Sequence, residues 1–280
     1  HLKRWLGIAR HLFWRRHFDG FWPPEMGFTM ELIPLLKALG YRYVMVDSEH
    51  VEPVTAMDWH ELRYRPLVAR HQGEEIIVVV RDRSLSDAQE SGMEFSWFLQ
   101  EIEERTRHCD FEPLVLTATD GDNGGWFRNT DQGGGFWGEF WPEYMSHSAQ
   151  EHAHVRPCFI SDYLDRHGAR GEVKVGDGAW NTGRHDGHGF TQWTGSTSQR
   201  LALERIRETS EAIHNARWAA GESHCSDAGE WALLEDAMWH LLRAETSCNL
   251  YWGDAWVPHC HADIDLAWGA LNRLPPSNRN

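Results

Sequence analysis

Three short apolar runs that each end in polar side chains constrain the fold more than any other feature of the chain. Tyr43 to Val46 leads into Asp47, Glu75 to Val80 leads into Arg81-Asp82, and Pro113 to Thr117 leads into Thr119-Asp120. The runs are continuous rather than alternating, which is the pattern of strands covered on both faces. Between them lie segments with helical spacing of apolar residues, 29–39 closed by Gly40, and 93–106. Such an alternation predicts an α/β fold with parallel strands. In folds of that kind, ligand sites assemble at the carboxyl ends of the strands. Position alone therefore makes Asp47, Arg81, Asp82 and Asp120 candidate site residues.

The remainder of the chain divides by composition. Residues 2–18 read as a helix with a basic face, 139–148 as a short helix, and 168–195 as a Gly-rich stretch that follows a short run at 160–164. Beyond it, 198–218, 230–249 and 263–274 are amphipathic with little strand propensity, and 275–280 reads as a tail. The expected organisation is a (β/α) region at 1–196 and a helical C-terminal subdomain at 197–280. His1 falls inside a helical pattern, so the expectation is that sequence preceding it completes the barrel.

Bulk properties exclude several partners. The formal net charge of −15 leaves no basic face for nucleic acid. No apolar run approaches the roughly 20 residues of a membrane span, and the first twenty residues do not read as a signal peptide. Five cysteines, with no C-x-x-C, read as reduced thiols of a cytoplasmic protein. The sequence does not specify an oligomeric state.

Two loops carry the chemistry. Phe21-Trp22-Pro23-Pro24-Glu25-Met26-Gly27 and Thr119-Asp120-Gly121-Asp122-Asn123-Gly124-Gly125-Trp126 each hold a carboxylate in a Gly/Pro-rich segment beside a tryptophan. Two carboxylates fixed apart are what glycosidic bond cleavage requires, and indole faces are what sugar rings stack on. Many of the sixteen tryptophans sit beside Gly, Asp, Asn or Pro, which fits an aromatic cleft better than a core. For each loop there is a plainer alternative. Glu25 can cap or pair near the next helix, and Asp120-Gly121 is a common turn pair. Histidines gather at 147, 152 and 154, at 185 and 188, and at 259 and 261, but eighteen histidines make chance grouping common. No metal or other cofactor is expected.

Taken in order, these motifs resemble glycoside hydrolase family 57. There, a W-x-P-E type motif carries the nucleophilic glutamate and a D-x-E-x-x-G type motif the acid/base aspartate. Here those are Trp22 to Glu25 and Asp120 to Gly125. The first is most similar to the α-glucan branching-enzyme branch. Tyr43 to His50, Arg81 to Ser86, Gly178-Ala179-Trp180 with Trp193, and Glu245 to Gly253 are further matches, so the resemblance spans most of 20–256. It implies an incomplete (β/α)7-type barrel followed by helices. It also implies a retaining reaction on α-glucans, hydrolytic or transferring, with Glu25 as nucleophile and Asp120 as acid/base. Trp22, Asp47, His50, Arg81, Asp82, Asp122, Trp126, Trp180, Trp193 and Trp252 are the implied sugar contacts. Asp122 and Trp126 stand where they would keep the acid protonated at neutral pH.

The chain departs from the family pattern in lacking the opening His-Gln-Pro strand and the second Glu-bearing motif, and in the aromatic insertion at 126–141. Two other functions fit the residues. A metal-dependent polysaccharide deacetylase would gather Asp47 or Asp120 with two histidines around one ion. A catalytically inactive carbohydrate-binding protein would use the tryptophans alone.

Overall fold

The computed structural model describes residues 1–15, 17–120, 136–182, 189–222 and 227–275. They fall into two compact units, 2–189, and 190–280 with His1.

The first unit is α/β. Its helices are α1 (Leu2–Phe13), α2 (Leu32–Ala38), α3 (Trp59–Tyr64), α4 (Arg83–Glu90), α5 (Phe95–Thr106), α6 (Trp141–Ser148) and α7 (Ile160–His167). Its strands are β1 (Gly20–Phe21), β2 (Tyr43–Asp47), β3 (Val51–Pro53), β4 (Leu67–His71), β5 (Glu74–Arg81) and β6 (Glu172–Val175). They form one sheet in the order β1-β2-β5-β4-β6-β3. The apolar runs of β2 and β5 lie side by side in parallel register, from Tyr43 opposite Ile77 to Asp47 opposite Arg81. Val44, Val46, Val78 and Val80 are fully buried with Ile33 and Leu36 of α2.

The sheet is mixed rather than parallel. β4 runs antiparallel to β5, and β3 antiparallel to β6. The reversal is made by Gln72-Gly73, both at positive φ (50° and 81°). A two-residue turn of that handedness matches the twist of paired strands. The expected strand at 113–117 survives only as a single bridge, Leu116 to Arg81, with Asp82 N–H donating to Leu116 O at 2.9 Å. The reason is competition: β4 already pairs with β5 from Glu74 to Val78, so only the last residues of that edge remain. α1 likewise stops at Phe13 rather than Phe18. Trp14 adopts a left-handed conformation (φ 55°), which no helix continues through.

The second unit is helical: α8 (Thr191–Thr194), α9 (Thr197–Glu222), α10 (Ala228–Ala244), α11 (Cys248–Tyr251) and α12 (Val257–Leu271). Asp227 caps α10 by accepting from Gly229 N–H at 2.7 Å. Pro258 in the first turn sets the start of α12 upstream of the expected Asp263. Small residues (Ala237, Ala244, Ala267, Ala270) let α10 and α12 approach closely around Ile213, Leu234, Leu241 and Ile264. Leu234 is fully buried. Leu234→Ala is expected to cost about 2–5 kcal/mol, read as a lowered urea midpoint followed by circular dichroism; an unchanged midpoint would contradict this packing.

Candidate active site

Because β1, β2 and β5 are parallel, their carboxyl ends open onto one edge of the sheet. The Glu25 loop leaves β1 there, Asp47 ends β2 and Arg81 ends β5.

Glu25 sits in a tight turn held by Met26 N–H to Pro23 O and Gly27 N–H to Pro24 O, both 2.9 Å. Its own backbone is left-handed (φ 57°, ψ 18°), and Met26 follows at φ 53°. Consecutive non-glycine residues in that region are strained and persist only where the surroundings over-determine them. Two prolines on one side and the segment 178–180 on the other supply the constraint. Trp180 N–H donates to Glu25 O at 3.0 Å, and the Trp180 indole Nε1–H donates to the Glu25 carboxylate at 2.8 Å. Trp22 meets Trp180 edge-on at 6.2 Å and is itself 39% exposed. An aromatic-flanked carboxylate is thus presented at the carboxyl edge.

Segment 178–180 is fixed from below. Phe28 and Gly178 exchange backbone hydrogen bonds of 2.8 and 3.2 Å. His50 is buried and donates from Nε2–H to Ala179 O at 2.8 Å. A Cβ at residue 178 would fall 2.3 Å from the His50 ring, at a φ of 158°, so only glycine fits. His50 therefore acts beneath Trp180 as a positioning residue.

Arg81 connects this loop to the next. Its guanidinium donates to Asp47 (2.9 Å), to Asp87 (2.8 Å) and to the Ala118 carbonyl (2.7 Å). It also lies 5.4 Å from the Trp180 ring centroid. Asp47 is drawn inward, 1% exposed, by Arg81 and by Arg83 Nε at 2.9 Å. Asp82 caps α4 through Leu85 N–H and accepts from the Tyr64 hydroxyl (2.8 Å) and Arg105 (3.1 Å) at 3% exposure. Asp47 and Asp82, expected as sugar contacts, accept hydrogen bonds from guanidinium, hydroxyl and amide groups and so help to hold the frame. Tyr64, Arg83 and Arg105 were missed, because nothing local in the sequence marks a side chain that reaches another strand's end.

Asp120 is exposed and lies two residues beyond Ala118, the carbonyl that Arg81 holds. Asp122 and Trp126, together with His185 and His188, lie outside the described residues. Trp193 and Trp252 belong to the helical unit. The Trp193 indole donates to Ser247 Oγ at 2.9 Å and packs on Tyr251, and Trp252 is 60% exposed against the same tyrosine. Among the described residues no three His, Cys, Asp or Glu side chains form a metal-ligand set. Of the histidine groups, His261 accepts from Arg205 at 2.9 Å, and burial, with the Arg205 charge, lowers its affinity for a proton.

Two outcomes follow from the clamp. Arg81→Met strands the fully buried Asp47 carboxylate and is expected to destabilise by about 3–5 kcal/mol. Arg83→Met, at a partly exposed site, should cost clearly less; equal costs in denaturant melts would show that Arg81 is not the central partner. Burial, reinforced by the Asp82 carboxylate, pushes the Tyr64 hydroxyl well above its usual ionisation range. The unfolded chain releases that proton near pH 10 while the folded chain keeps it. The stabilisation is therefore intact below about pH 10 and declines above it, by up to about 1.4 kcal/mol per pH unit. Tyr64→Phe should flatten that alkaline loss; parallel curves for the two proteins would refute it.

Comparison with known proteins gives this edge a family context. The family model of glycosyl hydrolase family 57 matches residues 7–176. No curated protein sequence matches the chain. Among solved structures, a 4-alpha-glucanotransferase from Thermococcus litoralis is similar at TM-score 0.61 and 18% identity, over 98% of this chain and 45% of that one. The alpha-amylase AmyC from Thermotoga maritima is similar at TM-score 0.67 and 13% identity, over 98% of this chain and 63% of that one. An exo-type maltose-forming amylase from Pyrococcus sp. ST04 is similar at 0.57 and 11%, over 97% and 50%. This chain therefore spans between 45% and 63% of the length of these structures. With the family model matched over more than half its residues, the chain belongs to glycosyl hydrolase family 57.

Proposed function

We propose that the carboxyl edge of the sheet is a retaining active site for α-glucans, with Glu25 as nucleophile and Asp120 as acid/base. The observation that carries this is the Glu25 loop: a carboxylate on a strained, over-constrained turn, held by one indole N–H and flanked by a second, exposed indole. Strain of this sort is kept where a group must be presented in one orientation. The α-glucan class is supported by the solved relatives, which are a glucanotransferase and two amylases.

In the first half-reaction a Glu25 oxygen bonds to the anomeric carbon as the glycosidic C–O bond breaks. Asp120 gives its proton to the departing oxygen. In the second, Asp120 takes a proton from water, or from the hydroxyl of an acceptor sugar, and that oxygen displaces Glu25. Water gives hydrolysis and an acceptor gives transfer. Trp22 and Trp180 supply sugar-stacking faces, with Arg81 and His50 fixing Trp180 from behind. Within a catalytic region at 1–196 and a helical subdomain at 197–280, Trp193 and Trp252 respectively are proposed as sugar-stacking side chains. The substrate partner is an oligo- or polysaccharide. None of the helices among the described residues is long and apolar enough to cross a membrane. The thiols at Cys109, Cys158, Cys248 and Cys260 support a cytoplasmic location.

Glu25→Gln is expected to lower kcat on maltooligosaccharides at least a thousandfold with little change in thermal stability, and Asp120→Asn a hundred- to ten-thousandfold. Proton NMR should show the α-anomer forming first. Undiminished turnover in Glu25→Gln, or initial release of the β-anomer, would rule the assignment out.

A further inference from the structure

The segment leading to Asp120 has the composition of a strand but little ladder, and it is held at alternate residues. Leu114 N–H donates to Tyr64 O at 2.8 Å, and Leu116 O accepts from Asp82 N–H at 2.9 Å. At Ala118, the next residue in that alternation, side chains take over. Arg81 Nε donates to the Ala118 carbonyl at 2.7 Å, and Ala118 N–H donates to Ser86 Oγ at 3.2 Å. Ala118 and Ser86 are both buried. Buried backbone groups must be paired, and β5 ends at Arg81. Two side chains therefore continue the ladder past the point where the strand stops.

Ser86 sits one turn into α4, whose start is fixed by Asp82 accepting from Leu85 N–H at 3.0 Å. The Ser86 hydroxyl donates to Asp82 O, four residues back, at 2.6 Å. That bond commits its one hydrogen, so the oxygen meets Ala118 as an acceptor. Arg81 holds the same peptide but also carries Asp47 and Asp87, and its loss disturbs the whole edge. Among the described residues the Ser86 hydroxyl bonds Asp82 O and Ala118 N–H alone, so its loss is confined to the clamp. With two residues of chain between them, the Asp120 Cα lies within about 7 Å of the Ala118 Cα. Proton transfer needs hydrogen-bond reach, and a displacement of about 1 Å costs roughly a hundredfold in rate.

We propose that Ser86 is a positioning residue for general acid catalysis, holding the Ala118 peptide so that Asp120 meets the departing glycosidic oxygen. This role rests on the assignment of Asp120 as acid/base made above.

The test compares two substrates on Ser86→Ala in the full chain. Maltotetraose needs a proton on the departing sugar oxygen. With α-maltosyl fluoride, a Glu25 oxygen bonds to the anomeric carbon while fluoride leaves with the C–F electron pair, and no proton is required. For both substrates kcat/KM reports this first half-reaction. Ser86→Ala is expected to lower kcat/KM about ten- to a hundredfold on maltotetraose but less than about threefold on the fluoride. A smaller folded fraction scales both substrates alike and leaves their ratio unchanged. Ser86→Cys, close in size but a weaker acceptor, should fall between the wild-type and alanine ratios, and it carries the test if the alanine variant does not fold. Asp120→Asn is the reference and should show the same selective loss, only larger. Equal losses on the two substrates in the Ser86 variants, or none on maltotetraose, overturn the proposal while a selective loss in Asp120→Asn keeps the active-site reading. If Asp120→Asn itself shows no selective loss, the acid/base assignment falls and the role of Ser86 falls with it.

Discussion

The buried pair of Arg81 and Asp47 is the interaction on which the carboxyl edge depends. Moving two charges out of water is costly, and a pair of this kind survives only when hydrogen bonds satisfy the rest of each group. Here they do. Asp47 accepts from Arg81, Arg83 and the Glu49 amide. Arg81 also donates to Asp87 and Ala118 O and places its cationic face toward Trp180. One side chain thereby ties together the end of β2, the end of β5, the segment leading to Asp120 and the indole that grips Glu25. Replacing it with an apolar residue would keep a core but lose the register between these loops.

Rigidity of the Glu25 loop comes from a second set of constraints that use no charge. Prolines fix the approach, Gly178 allows the backbone to lie against the His50 ring, and the His50 hydrogen bond to Ala179 aims Trp180.

Much of the fold was legible, and the failures have physical causes. Continuous apolar runs identified β2 and β5 because strands buried on both faces admit no polar residue. β4 was missed: Leu67 to His71 mixes apolar with polar residues, and its hairpin turn is Gln-Gly rather than the more familiar Asn-Gly. The 113–117 run has strand composition yet little ladder, since composition cannot report that another strand already holds the partner edge. At the site, Glu25 and Trp22 stood out because prolines and aromatics crowd one loop. The burial of Asp82 was not legible, because Tyr64 and Arg105 reach it from other helices.

The sequence by itself determined the α/β class, the helical C-terminal part, the two motifs that pair a carboxylate with a nearby tryptophan, and the family they belong to. Those features are local: period, turn chemistry and motif spacing are written in consecutive residues. Only the tertiary structure decided the mixed strand directions and the partners that hold Asp47, Asp82 and His50. Each of those depends on which distant side chain reaches a given hydrogen-bonding group first, and that competition is settled by packing in three dimensions.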